Sequence, residues 1–86
     1  MICFRDRAWS DYLYWQQIDK QILKRINLLI KDIQRDPFSG LGKPEPLKHH
    51  LTGFWSRRIN DEHRLVYTFQ DDELIIIQCR YHYERP

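Results

Sequence analysis

Along this 86-residue chain the apolar positions change period near the middle, separating a helical half from a strand half. Residues 1–4 are apolar, short and closed off by charge, which suits a first strand. Asp6 is placed to cap a helix carrying Trp9, Tyr12 and Leu13 on one face, and Asp19 to cap a longer one. In that longer helix Ile22, Ile26, Leu29, Ile30 and Ile33 recur at helical spacing, a stripe that has to pack on something, while Lys24, Lys31 and Gln34 point elsewhere. Pro37 ends it, because the residue before a proline is driven out of the helical region. The stretch FSGLGKPEP, residues 38–46, then forms a loop of the kind that often carries function in small domains.

Beyond Gly53 the period becomes two. Residues 54–59, 63–69 and 73–81 read as three strands rich in β-branched and aromatic side chains. Their connections, Asn60-Asp61-Glu62 and Gln70-Asp71-Asp72, are short and polar, so consecutive strands should pair antiparallel. Alternation assigns Leu65, Tyr67 and Phe69, with Ile75, Ile77, Cys79 and Tyr81, to the face under the helices. Arg64, Val66, Thr68, Gln78, Arg80 and His82 then share the open face. The pattern predicts an α+β fold, two N-terminal helices packed on a twisted, mostly antiparallel sheet, as a single domain over residues 1–86.

Composition narrows the class. Hydrophobic residues make up 42% and charged residues 30%, a balance that argues against disorder. No apolar run approaches the roughly 20 residues of a membrane span, and no signal-peptide pattern opens the chain, so the cytoplasm is the expected location and no membrane partner is expected. Cys3 and Cys79 are too few for a disulfide framework and lack metal-ligand spacing; they are expected to be reduced and buried. Net charge is only +2, but Lys43, Lys48, Arg57 and Arg58 face the single acid Glu45 between Gly42 and Arg58, which concentrates positive charge there.

The open face and this basic loop together hold groups suited to metal-free RNA cleavage. In that reaction the ribose 2′-hydroxyl attacks the adjacent phosphorus, a base takes its proton, an acid protonates the departing 5′-oxygen, and cations offset charge on the phosphate. His82 has the titration range of an acid, Arg64 the planar fork of a phosphate clamp, and Glu45 the carboxylate of a base. Lys48, Arg58 and Arg80 would hold the backbone, and Tyr81 or Tyr83 could stack on a base. Each residue also has a plainer reading: His82 as a solvated surface group, the arginines as edge-blocking charges, Glu45 as loop polarity, and His49 and His50 as residues flanking a turn.

The segments GKPEPLKHHLTGFWSRRINDEHRLVY, residues 42–67, and CRYHY, residues 79–83, resemble the YoeB branch of the RelE superfamily of toxin–antitoxin ribonucleases. The opening WSDYLYWQQIDKQILKRINLLIKDIQRDPFSG resembles the same family, so the likeness covers essentially the whole chain. It implies a microbial-ribonuclease-like fold and a type II toxin that cleaves mRNA in the ribosomal A site without a metal or other cofactor, inhibiting translation. It further implies restraint by an acidic YefM-like antitoxin, and a homodimer for which Trp9 and Trp15 are available aromatics. Carried over by position, the general base falls on Glu45, the phosphate-stabilising arginine on Arg64, the general acid on His82 and the following tyrosine on Tyr83. Lys48 and Arg58 match basic positions near the scissile phosphate. The chain continues past the family's usual end through Glu84, Arg85 and Pro86, a tail expected to displace Tyr83 or add an RNA contact. A carboxylate among cations is a poor base for a ribose hydroxyl, so the free protein is expected to be sluggish until RNA is held in position. The alternative from another class is a non-catalytic module that binds RNA or a partner on the same face; a metal-dependent nuclease is a third.

Overall fold

A computed structural model describes residues 1–83 of the chain. The expectation about Glu84, Arg85 and Pro86 lies outside the described residues. A short strand β1 (Ile2–Phe4) leads into helix α1 (Asp6–Ile18) and helix α2 (Lys20–Arg35). The strands β2 (Glu45–Pro46), β3 (Trp55–Arg58), β4 (Arg64–Gln70) and β5 (Glu73–Gln78) follow, with one 3₁₀ turn at His49–Leu51. They form one sheet in the order β1-β5-β4-β3-β2. β1 pairs with β5 in parallel and every other neighbour is antiparallel, which is the expected α+β architecture. The two-residue β2 was hidden in the proline-rich stretch, where the sequence shows only a loop.

The helix boundaries follow capping chemistry, with one change. Asp19 ends α1 and begins α2, its Oδ1 accepting from the backbone N–H groups of Gln21 and Ile22 at 3.0 and 3.2 Å. Arg5, not Asp6, occupies the N-cap of α1; Asp6 is the first helical residue, where its negative charge suits the positive end of the helix dipole. α2 buries Ile26, Leu29, Ile30 and Ile33 as its periodicity requires. α1 instead buries Ala8, Asp11 and Trp15, and leaves Trp9 and Leu13 exposed. Trp15 is therefore core, not interface: its indole N–H donates to the Cys79 carbonyl at 2.8 Å. Asp11 is buried because its carboxylate accepts the Cys79 N–H at 3.0 Å, a partner far along the chain that helical periodicity does not reveal.

The last strand departs from simple alternation. Ile76 faces Tyr67 and Gln78 faces Val66, so Ile77 has no opposite residue and forms a bulge. Before it Leu74 and Ile76, rather than Ile75 and Ile77, join the core; after it Cys79 does. The bulge thus restores the expected phase only at Gln78 and Cys79. Tyr81, expected in the core, is 49% exposed. Of the cysteines, Cys79 is buried and burial pushes its thiol up to about 12, whereas Cys3 is only partly buried.

Arg57 is the most consequential difference in charge. It sits on the core face of β3, fully enclosed, although the sequence groups it with the basic surface. All five of its N–H donors are matched: Nε by the Tyr67 hydroxyl, Nη1 by Asp32 Oδ2 at 2.6 Å and the Leu41 carbonyl, Nη2 by the Asp36 and Ser39 carbonyls. The knot fastens the loop after α2 to the sheet. Gly40 is confined within it at φ +124°, where an added Cβ would overlap the Asp32 carboxylate.

Candidate functional site

On the opposite face of β3 the residues alternate to Ser56 and Arg58. Glu45 of β2 lies directly across from Ser56, and Arg64 of β4 directly across from Arg58. Ile59 N–H donates to the His63 carbonyl, so the adjoining Arg58–Arg64 pair is one of the non-hydrogen-bonded pairs, in which side chains stand closest. Two arginines in that relation repel each other, a local cost that a purely structural sheet has no reason to bear. They border a cleft of about 360 Å³ together with Glu45, Ser56 and Lys43. His82 and Tyr83 close its remaining side.

Local chemistry fixes each wall. The Asn60 side chain accepts from the backbone of Glu62 and His63 at 2.9 and 2.8 Å, shaping the β3–β4 turn. Arg64 Nη1 donates to the carbonyls of Asn60 and His63 at 2.7 and 3.0 Å, so one side of its guanidinium is anchored to that turn. Arg58 is held through its backbone, its N–H donating to the Gly42 carbonyl at 2.6 Å and its own carbonyl accepting from Arg25.

The segment that delivers His82 is tied at successive residues. Cys79 is held by Asp11 and Trp15, and Gln78 Nε2 donates to the carbonyls of both Arg80 and His82 at 3.0 Å. Tyr81 adopts φ +64°, a strained left-handed conformation for an aromatic residue, and this reverses the chain. Its N–H donates to His63 Nδ1 at 2.8 Å and its carbonyl accepts from Arg64 N at 3.0 Å. The turn that carries Arg64 is therefore also the support of the residue just before His82.

Of the expected site residues, Glu45, Arg58, Arg64, His82 and Tyr83 come together in the cleft. Lys48 and Arg80 do not line it. Arg80 turns to the helix side, its guanidinium 3.5 Å from the centre of the Tyr14 ring and bonded to the Tyr81 hydroxyl. Lys43 and Ser56 were missed as cleft-lining residues, and Gln78 as a support of the His82 backbone; the signal for Ser56 was its place on the same strand face as Arg58. With Lys43, Arg58 and Arg64 around one carboxylate, the cleft presents cationic donors to an anion and a carboxylate and an imidazole to its proton transfers. Among the described residues no three His, Cys, Asp or Glu side chains are grouped to hold a metal ion. Nor, among them, is any helix long and apolar enough to cross a membrane.

Comparison with known proteins shows the family. The family described as YoeB-like toxin of bacterial type II toxin-antitoxin system matches residues 4–83. Toxin YoeB of Synechocystis is 67% identical over 84 residues, covering 98% of each chain. The toxin in a YoeB-YefM complex from Staphylococcus aureus superposes with a TM-score of 0.91 at 52% identity, over 96% of this chain and 97% of that one. A YoeB dimer from the same organism gives 0.89 at 54% identity, over 95% of each. The chain belongs to the YoeB-like toxins of bacterial type II toxin–antitoxin systems.

Proposed function

We propose that this toxin is an endoribonuclease that cleaves mRNA in the ribosomal A site by metal-independent acid–base catalysis. The observation that carries the reading is the convergence of Glu45, Arg58, Arg64, His82 and Tyr83, from separate segments, on one cationic cleft. Glu45 takes the proton of the ribose 2′-hydroxyl, whose oxygen attacks the adjacent phosphorus. The bond to the 5′-oxygen breaks, His82 protonates that oxygen, and a 2′,3′-cyclic phosphate remains on the upstream fragment. Arg64 meets the charge that gathers on the phosphate, Arg58 and Lys43 hold the flanking backbone, and Tyr83 stacks on a base. Lys48, exposed beside β2, and Arg80, stacked on Tyr14, are placed for outlying backbone contacts only. A ribosome supplies the RNA geometry that an open cleft does not impose, and the gain from such positioning is large.

An acidic, extended YefM-like antitoxin fits this basic cleft, and the relative solved with YefM supports that partner. The exposed Trp9, stacked on Tyr12 and edge-on to Phe4, together with exposed Leu13 and Ile18, supports a homodimer as in the solved relative. The protein acts where ribosomes are, in the cytoplasm.

Primer extension on programmed ribosomes tests the activity, with the same RNA free of ribosomes alongside. Cuts confined to the A site, made by the wild type and lost in Arg64→Ala and His82→Ala, are expected. Salt-dependent binding of RNA without scission would instead favour a non-catalytic binding module.

A further inference from the structure

His63 is enclosed behind the cleft and takes no part in the proposed reaction, yet it touches the residue that aims His82. It is 6% exposed, its ring edge-on to Trp15 at 4.7 Å between centres and tilted against Tyr81 at 5.6 Å. Nδ1 accepts the Tyr81 N–H at 2.8 Å. An amide N–H cannot accept, so Nδ1 carries the lone pair and the neutral ring has its proton on Nε2. Nε2 lies 3.6 Å from Glu62 Oε1 on the solvent side. A second proton, placed on Nδ1, would set two N–H groups against each other and remove the bond. The conformation at stake is the left-handed one at Tyr81, which is strained and persists only while its surroundings dictate it.

We propose that His63 is a positioning residue and a proton-sensitive latch: its neutral ring holds Tyr81 so that His82 and Tyr83 face the cleft, and its protonation lets them go. The inference rests on the proposed role of His82 in cleavage, but the latch itself is a structural statement. Burial sets the direction against one opposing carboxylate. Burial in front of Trp15 lowers the basicity of His63, Glu62 opposes, and the cationic or titratable Arg80, His82 and Arg64 lower it further. Tyr14 and Asp19 border the same recess from the end of α1, and Tyr81 from the C-terminal segment. A histidine less basic in the folded state than its reference value of about 6.5 gives stability that is present above that pH. It is lost as pH falls from there through the lowered folded value. The latch is therefore closed at neutral pH and opens only on clear acidification.

Nuclear magnetic resonance of the uniformly ¹⁵N-labelled chain between pH 8 and 4.5 tests it. Ring nitrogen shifts should report Nε2–H at neutral pH. The amides of Tyr81, His82 and Tyr83 should then move in one transition shared with the His63 ring. His63→Asn offers an acceptor oxygen that does not titrate, and should keep those amides ordered with the transition gone. His63→Leu should release them at every pH. On ribosomes at neutral pH, His63→Leu should lower kcat by about 100-fold with RNA binding retained, and His63→Asn should recover about tenfold of that. Tyr81 amides that ignore the His63 titration, or that titrate unchanged in His63→Asn, would overturn the latch whether or not the protein cleaves RNA. Should His63→Leu not fold, the wild-type titration and His63→Asn decide alone. Correct titration without any cleavage would keep the latch and remove the nuclease reading instead.

Discussion

Arg57 and Arg58 are neighbours in sequence and opposites in role. One is fully enclosed on the core face of β3 with a partner for every N–H; the other stands exposed in the cleft across from Arg64. The Arg57 region spends its charge internally, on Asp32 and three loop carbonyls, and so locks the loop that leads to Glu45. In the cleft, Arg58 and Arg64 face each other across the strands with Glu45 beside them, an arrangement suited to an incoming anion. Residue type is the same, and strand alternation alone decides which arginine is enclosed and which lines the cleft.

Breaking the enclosed side should have the largest effect. Arg57→Leu strips five donors from buried acceptors and should cost about 3–5 kcal/mol of unfolding free energy, read from urea denaturation. Breaking the chemical side should show the reverse pattern: Arg64→Ala should lower A-site cleavage by about 10²–10³-fold while the urea midpoint stays close to that of the wild type.

A pH series sharpens the contrast further. The N–H of Leu41, then Arg35 and Arg57, bond the Asp32 carboxylate and lower its pKa to about 2 from 3.8. An acid whose folded pKa is lowered contributes stability present above its unfolded value, so this share should be full above about pH 4 and lost as pH falls toward 2. Asp32→Asn should flatten that limb of a stability–pH profile; an unchanged limb would mean that the knot owes little to the carboxylate. The smallest effect is expected at Arg80→Ala, which loses the Tyr14 contact but no cleft wall: about 1 kcal/mol at most in stability and cleavage within about threefold.

How much of this was readable follows the range of the interactions. The α2 stripe, the Asp19 cap and the stop at Pro37 are local, and the sequence shows them directly. The β4–β5 hairpin was equally plain, since Asp71 and Asp72 both take positive φ in a two-residue turn. The wrong face for Ile75 and Ile77 traces to the bulge at Ile77, which shifts the phase without any marker such as glycine. Arg57, Trp15 and Asp11 were misread or missed because their partners, Asp32 and Cys79, come from distant elements. Glu45, Arg64 and His82, named through resemblance and chemistry together, line one cleft; alternation alone would have put Arg80 beside them. Arg80 escapes the alternation because β5 ends at Gln78, and its guanidinium settles on Tyr14.

The most direct test measures both properties on the same two proteins: the urea midpoint and the rate of A-site cleavage for Arg57→Leu and Arg64→Ala. The account predicts a lowered midpoint with cleavage per folded molecule retained in the first, and an unchanged midpoint with cleavage lost in the second. An Arg64→Ala protein that cleaves at the wild-type rate, or one that is destabilised as much as Arg57→Leu, would contradict the division of the molecule into an enclosed knot and a chemical cleft.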